Sequence, residues 1–179
     1  MQRKDRQRSK LYRVERIWEK QFPKQNISFK DCREASNYAT MIWIEFKNKI
    51  YPENIRKEVS RVKCTPKRGN KSACYRGYYY NKNNKLYKKI TLSRIWGHDA
   101  FTVIHEMCHA IACVNDWNGI KEWHGPEFTK LFMFFLAHYL KYDLDFMCKT
   151  ANEHNLQFHS KDVYLNTRFN KLHNIKLSA

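Results

Sequence analysis

The chain has 179 residues, 42% of them hydrophobic and 15% aromatic, which is enough for one domain with a real core and excludes a disordered chain. Lys and Arg number 34 against 17 Asp and Glu, and the net charge of +17 is suited to polyanions without saying anything of sequence recognition. No apolar run reaches membrane-spanning length, and residues 1–20 are charged throughout with no apolar signal region, so a cytoplasmic or nucleoid/nuclear chain is expected rather than a secreted one.

In chain order, residues 6–20 read as an amphipathic helix with Leu11, Val14, Ile17 and Trp18 inward, ended by Phe22-Pro23. A second helix is expected over residues 31–49, turning Ala35, Tyr38, Ala39, Ile42, Trp43 and Phe46 to the core. Residues 58–93 change character. Val59, Val62 and Cys64, then Tyr75 to Tyr80, then Leu86 to Leu92 favour β-structure, and the reading is three antiparallel strands joined by basic turns. Asp99 suits the N-cap of a helix running to about residue 114. A loop over 115–125, a packed helix over 126–142 and a basic, less regular segment from 143 onward complete a compact α+β chain. Cys32, Cys64, Cys74, Cys108, Cys113 and Cys148 are irregularly spaced and read as reduced thiols.

The pentapeptide His105-Glu106-Met107-Cys108-His109 carries the chemistry. Residues four apart share a helix face, so both imidazoles can reach one metal ion. Glu106 lies about 100° round the helix, where a general base can take a proton from water beside the metal. The flanks 100–104 and 110–112 are apolar, as a buried helix requires. A catalytic zinc needs a third protein ligand. The residues after His109 do not supply the Gly and His of the metzincin pattern, which leaves His124, Glu122 and Glu127. Pro126 and Glu127 suit the first turn of the next helix, which gives Glu127 a structural role and leaves His124 the favoured ligand.

His105-Glu106-Met107-Cys108-His109-Ala110 followed by His124-Gly125-Pro126-Glu127-Phe128 resembles the HExxHA and HGxxF elements of the SprT-like metalloproteases. Ser72-Ala73-Cys74 and Ile90-Thr91-Leu92-Ser93 resemble that family's hairpin, so the likeness spans about residues 72–140. The resemblance implies a zincin-like metalloprotease domain over residues 1–150, with N-terminal helices 6–50, a β-hairpin region 58–93 and active-site helices 98–142, and a basic tail over 151–179. It implies one zinc on His105, His109 and His124, with Glu106 as base. The chain departs from many members in having no CxxC pair, so a second, structural zinc is not expected.

Basic and aromatic residues interleave over 61–89, as a sequence-tolerant binder of single-stranded nucleic acid requires. Arg61, Lys63, Lys67, Arg68, Lys71, Arg76, Tyr78, Lys82 and Lys85 are the candidates for that surface. Alternate strand residues face opposite ways, so half of the tyrosines belong to the core. The N-terminal helix and the segment beyond His154 are further basic candidates.

The expected reaction is peptide-bond hydrolysis, with zinc activating water, Glu106 relaying its proton to the leaving amine, and an unidentified donor for the oxyanion. The resemblance implies proteins bound or crosslinked to DNA as substrates and DNA as activator, and a monomer is expected. Two other readings remain open. One is a basic nucleic-acid-binding protein with a structural zinc, against which Glu106 counts; the other is a zinc hydrolase acting on a non-protein bond. Cys108 and Cys113 read as buried thiols and His98 as part of the helix start. Trp117 and Trp123 either wall a cleft or pin the loop before His124.

Overall fold

Helix α1 (Arg8–Gln21) buries Leu11, Val14, Glu15 and Trp18, a stripe at helical spacing in which one member is a carboxylate. Ile17, expected inward, is half-buried beside it. The computed structural model describes residues 5–50, 59–66, 73–80, 86–93, 98–114 and 122–158. Helix α2 (Cys32–Ile50) starts where Asp31 Oδ1 accepts from the backbone N–H groups of Arg33 (2.7 Å) and Glu34 (2.9 Å). It buries Ala35, Ala39, Ile42, Trp43 and Phe46, as its periodicity predicts, whereas Tyr38, also expected inward, is half-buried against the core.

Strands β1 (Val59–Pro66), β2 (Cys74–Tyr80) and β3 (Leu86–Leu92) lie where β-formers concentrate, but they pair differently from the expectation. The sheet order is β1-β3-β2, with β2 antiparallel and β1 parallel to β3. The sheet is mixed, and the expected antiparallel set of three is corrected. Alternation in a strand fixes which face is buried, not which strand lies beside it. Here β1 takes the far edge of β3 instead of forming a hairpin with β2. Helix α2 covers the outer edge of β1. Thr40 Oγ1 donates to the Val62 carbonyl and accepts from its N–H (both 3.1 Å), and Ser36 Oγ accepts from Cys64 N–H at 2.8 Å. Two hydroxyls thus satisfy an edge that would otherwise invite further pairing.

Helix α3 (Ala100–Val114) begins as expected, with Asp99 Oδ1 accepting from Thr102 N–H at 2.8 Å. Residues 26–29 brace this start: Asn26 Oδ1 accepts from Phe101 N–H, and the Ile27 carbonyl from Ala100 N–H. The helix is buried through Ile111 and packs on α2, on β2 and on α4 (Pro126–Leu140). The segment read as irregular beyond residue 143 contains helix α5 (Leu144–Glu153), capped by Asp143 Oδ1 on Phe146 N–H at 2.7 Å. Ala151, Leu156 and Phe158 lie in the same core, past the boundary expected at residue 150. Cys32, Cys64, Cys74, Cys108 and Cys148 are free thiols, and Cys113 lies outside the described side chains. Among the described residues no helix is long and apolar enough to cross a membrane.

Candidate metal centre

His105 and His109 project from one face of α3, one turn apart, with ring centroids 5.0 Å from each other. His124 reaches the same point from the turn before α4. His105 Nε2 lies 3.2 Å from His109 Nε2 and 3.4 Å from His124 Nε2. Nitrogens at about 2.05 Å from a tetrahedral zinc stand about 3.3 Å apart, so the spacing fits such an ion. All three histidines are buried and close enough together to hold a metal ion.

Two carboxylates set the tautomers. Glu15 Oε1 lies 2.7 Å from His105 Nδ1, and Asp5 Oδ2 lies 2.7 Å from His124 Nδ1. A carboxylate accepts only, so each Nδ1 carries the donating proton and each Nε2 presents a lone pair. When both rings are neutral, the Nε2 lone pairs of His105 and His124 face each other at 3.4 Å. A cation at the point of convergence would be held by these lone pairs, with Glu15 and Asp5 orienting the rings. Among the described residues the Nδ1 of His109 has no hydrogen-bond partner.

Protonation follows these surroundings. Burial opposes charge on His105, but the Glu15 carboxylate outweighs it and the pKa rises. Burial, then the two neighbouring imidazoles, push His109 well below its ordinary value. Burial also lowers His124, with Asp5 offsetting part of the effect. Burial holds the Cys108 thiol well above the usual range, so it is an inert core group, as expected.

Phe128 explains the phenylalanine of the second motif. It is fully buried, and its ring centroid lies 5.0, 4.4 and 5.0 Å from those of His105, His109 and His124. Gly125 precedes it at the N-cap of α4, where an added Cβ would come within 3.1 Å of Glu122 Cβ. Of the alternative ligands, Glu122 faces Arg6 at 3.5 Å, and Glu127 is a first-turn acid of α4. Neither belongs to the three-histidine group. Glu106 is 6% exposed, so it is shielded from bulk water beside the ligands. Trp123 is exposed yet meets the His109 ring at 5.7 Å, which makes it a wall of the site; Trp117 lies outside the described residues.

Sequence reasoning missed the N-terminal contribution. Asp5 and Glu15 are not near the motif in sequence, and Gln7 joins them. The Gln7 side-chain amide nitrogen lies 2.9 Å from the His124 carbonyl, 3.1 Å from Thr129 Oγ1 and 2.9 Å from the Gln157 carbonyl, while its oxygen accepts from Gln157 N–H at 3.1 Å. One buried amide therefore ties the third histidine to both ends of the described chain. The available signal was Glu15 itself, a carboxylate inside an apolar helical stripe.

Of the nucleic-acid candidates, Arg61 and Lys63 project from one face of β1 and are exposed, as is Arg76 on β2. Lys63 Nζ stands 5.9 Å from the Tyr87 ring centroid. Tyr78 pairs in register with Lys88, but its side chain lies outside the description, as do Lys67, Arg68, Lys71, Lys82 and Lys85. Lys88, inside the basic region expected at the surface, is instead fully buried, donating to the Ala110 carbonyl at 2.6 Å above the Trp43 ring.

Comparison of the chain with models of known families, with curated proteins and with solved structures finds no match in any of the three.

Proposed function

We propose that this chain is a zinc-dependent hydrolase of peptide bonds, resembling the SprT-like metalloproteases, that acts on proteins held on DNA. The observation that carries the reading is the convergence of the His105, His109 and His124 Nε2 atoms, with Glu15 and Asp5 fixing two of the rings. Three imidazole nitrogens, which leave a fourth position open, suit zinc in a catalytic rather than a closed structural site. Zinc in such a site supplies Lewis acidity that activates water and polarises a carbonyl. His105, His109 and His124 would hold it, and Glu106, buried one residue after His105, accepts the proton of the attacking water and returns it to the leaving amine. Trp123 limits water beside His109.

DNA enters the reading through charge. The net charge of +17, with Arg61, Lys63 and Arg76 exposed on the sheet, favours polyanions over acidic peptides of few charges. The rival reading, a nucleic-acid-binding protein with structural zinc, gives no role to a buried glutamate beside an open ligand set. The test is cleavage of a DNA-binding protein by the zinc-loaded chain, with and without single-stranded DNA, beside Glu106→Gln. Cleavage that needs Glu106 and increases with DNA is expected. Tight zinc and DNA binding without cleavage would move the assignment to the rival.

A further inference from the structure

Hydrolysis of an amide gathers negative charge on the carbonyl oxygen, and sites of this kind need a donor for it. Among the described residues, the phenol that lies against the metal ligands comes from α1. Tyr12 stacks on His105 with centroids 6.0 Å apart and planes 29° apart, and meets His124 edge-on at 5.4 Å. It is half-buried. Its phenol is near enough to Glu106 to feel that carboxylate's charge. One turn earlier Arg8 stands over the ring, with its guanidinium carbon 5.3 Å from the centroid. Glu15, which orients His105, is three residues further along the same helix. A single rigid element therefore sets both the ligand and the phenol.

We propose that the Tyr12 hydroxyl, with Arg8 as its positioning residue, is the hydrogen-bond donor that holds the oxyanion during hydrolysis. The inference rests on the hydrolase reading given above. In the step, the water oxygen bonds to the carbonyl carbon, Glu106 takes the released proton, and the C=O π electrons move onto oxygen. That oxygen accepts from Tyr12. When the C=O bond re-forms, the C–N bond breaks and the amine leaves with the proton from Glu106. Tyr12 gives up no proton over the cycle, and Arg8 keeps the phenol aimed and polarised. The bland alternative gives the ring a packing role only, shielding two imidazoles from solvent. Tyr12→Phe separates the two, because it keeps the ring and removes the hydroxyl.

The experiment measures kcat and KM for casein with the zinc-loaded full chain and single-stranded DNA present, for wild type, Tyr12→Phe, Arg8→Ala and Arg8→Lys, against Glu106→Gln as blank. Zinc affinity by chelator competition and thermal unfolding are followed in parallel. Tyr12→Phe should lower kcat about 100- to 1000-fold, with KM, zinc affinity and unfolding each little changed. Arg8→Ala should lower kcat by about tenfold and Arg8→Lys restore most of it, since a cation over the Tyr12 ring survives in the lysine variant. Full kcat in Tyr12→Phe, or a loss that only tracks weakened zinc binding or unfolding, would overturn the proposal while leaving the hydrolase reading intact. A wild type no more active than Glu106→Gln would overturn both.

Discussion

Glu15 Oε1 lies 2.7 Å from His105 Nδ1, although 90 residues separate the two in sequence. The bond joins α1 to the motif helix and fixes which nitrogen His105 offers. Carboxylate partners of this kind govern ligand basicity and orientation, and their loss costs about 10- to 100-fold in metal affinity. Glu15→Gln should weaken zinc binding by that amount, read by chelator competition, while the circular dichroism spectrum is retained.

Gln7 should matter through stability as much as through the site. Its buried amide serves the His124 carbonyl, Thr129 and Gln157 together. Gln7→Ala leaves those groups without their partner and should destabilise the fold by about 1–3 kcal/mol. Urea unfolding measures this, and zinc affinity should fall with it because His124 loses its backbone tie.

Phe128 is the packing floor under all three imidazoles. Phe128→Ala should cost about 3–5 kcal/mol, since the aromatic is fully buried and a cavity remains. Phe128→Leu should cost less in denaturant unfolding yet still reduce metal affinity, because the rings it braces would tilt.

Glu19 sets a pH dependence away from the metal. Burial, then the Asp99 and Glu15 charges, raise its carboxyl from 4.5 to about 7. The folded state therefore holds this proton more tightly than the unfolded chain. The contribution to stability is full below pH 4.5, declines between 4.5 and about 7, and is lost above that. Against wild type, Glu19→Gln should gain relative stability as pH rises through that window, measured as the difference in Tm between pH 4.5 and pH 8. A difference that stays constant with pH would contradict the assignment.

What was legible in the sequence was local. His105 and His109 lie one turn apart on a helix, and His124 and Phe128 flank the start of the next, so short-range geometry delivers most of the cluster. The N-cap role of Asp99 and the core face of α2 were equally local. Partner choice across the chain was not. The parallel seat of β1 on β3 depends on competition between strand edges, which alternation does not encode. Asp5 meets His124 across 119 positions, and no periodicity points to it. Lys88 sat in a basic, tyrosine-rich run, yet the register of β3 turns it inward onto Trp43. Charge content named a surface there, but strand register decides which residues form it.

The most direct measurement is zinc stoichiometry by native mass spectrometry on the full chain, beside His124→Ala and Glu106→Gln. The account predicts one zinc per wild-type chain, one retained in Glu106→Gln, and zinc lost or much weakened in His124→Ala. A wild type that binds no zinc, or a His124→Ala variant that binds it as tightly, would contradict the metal centre on which the reading stands.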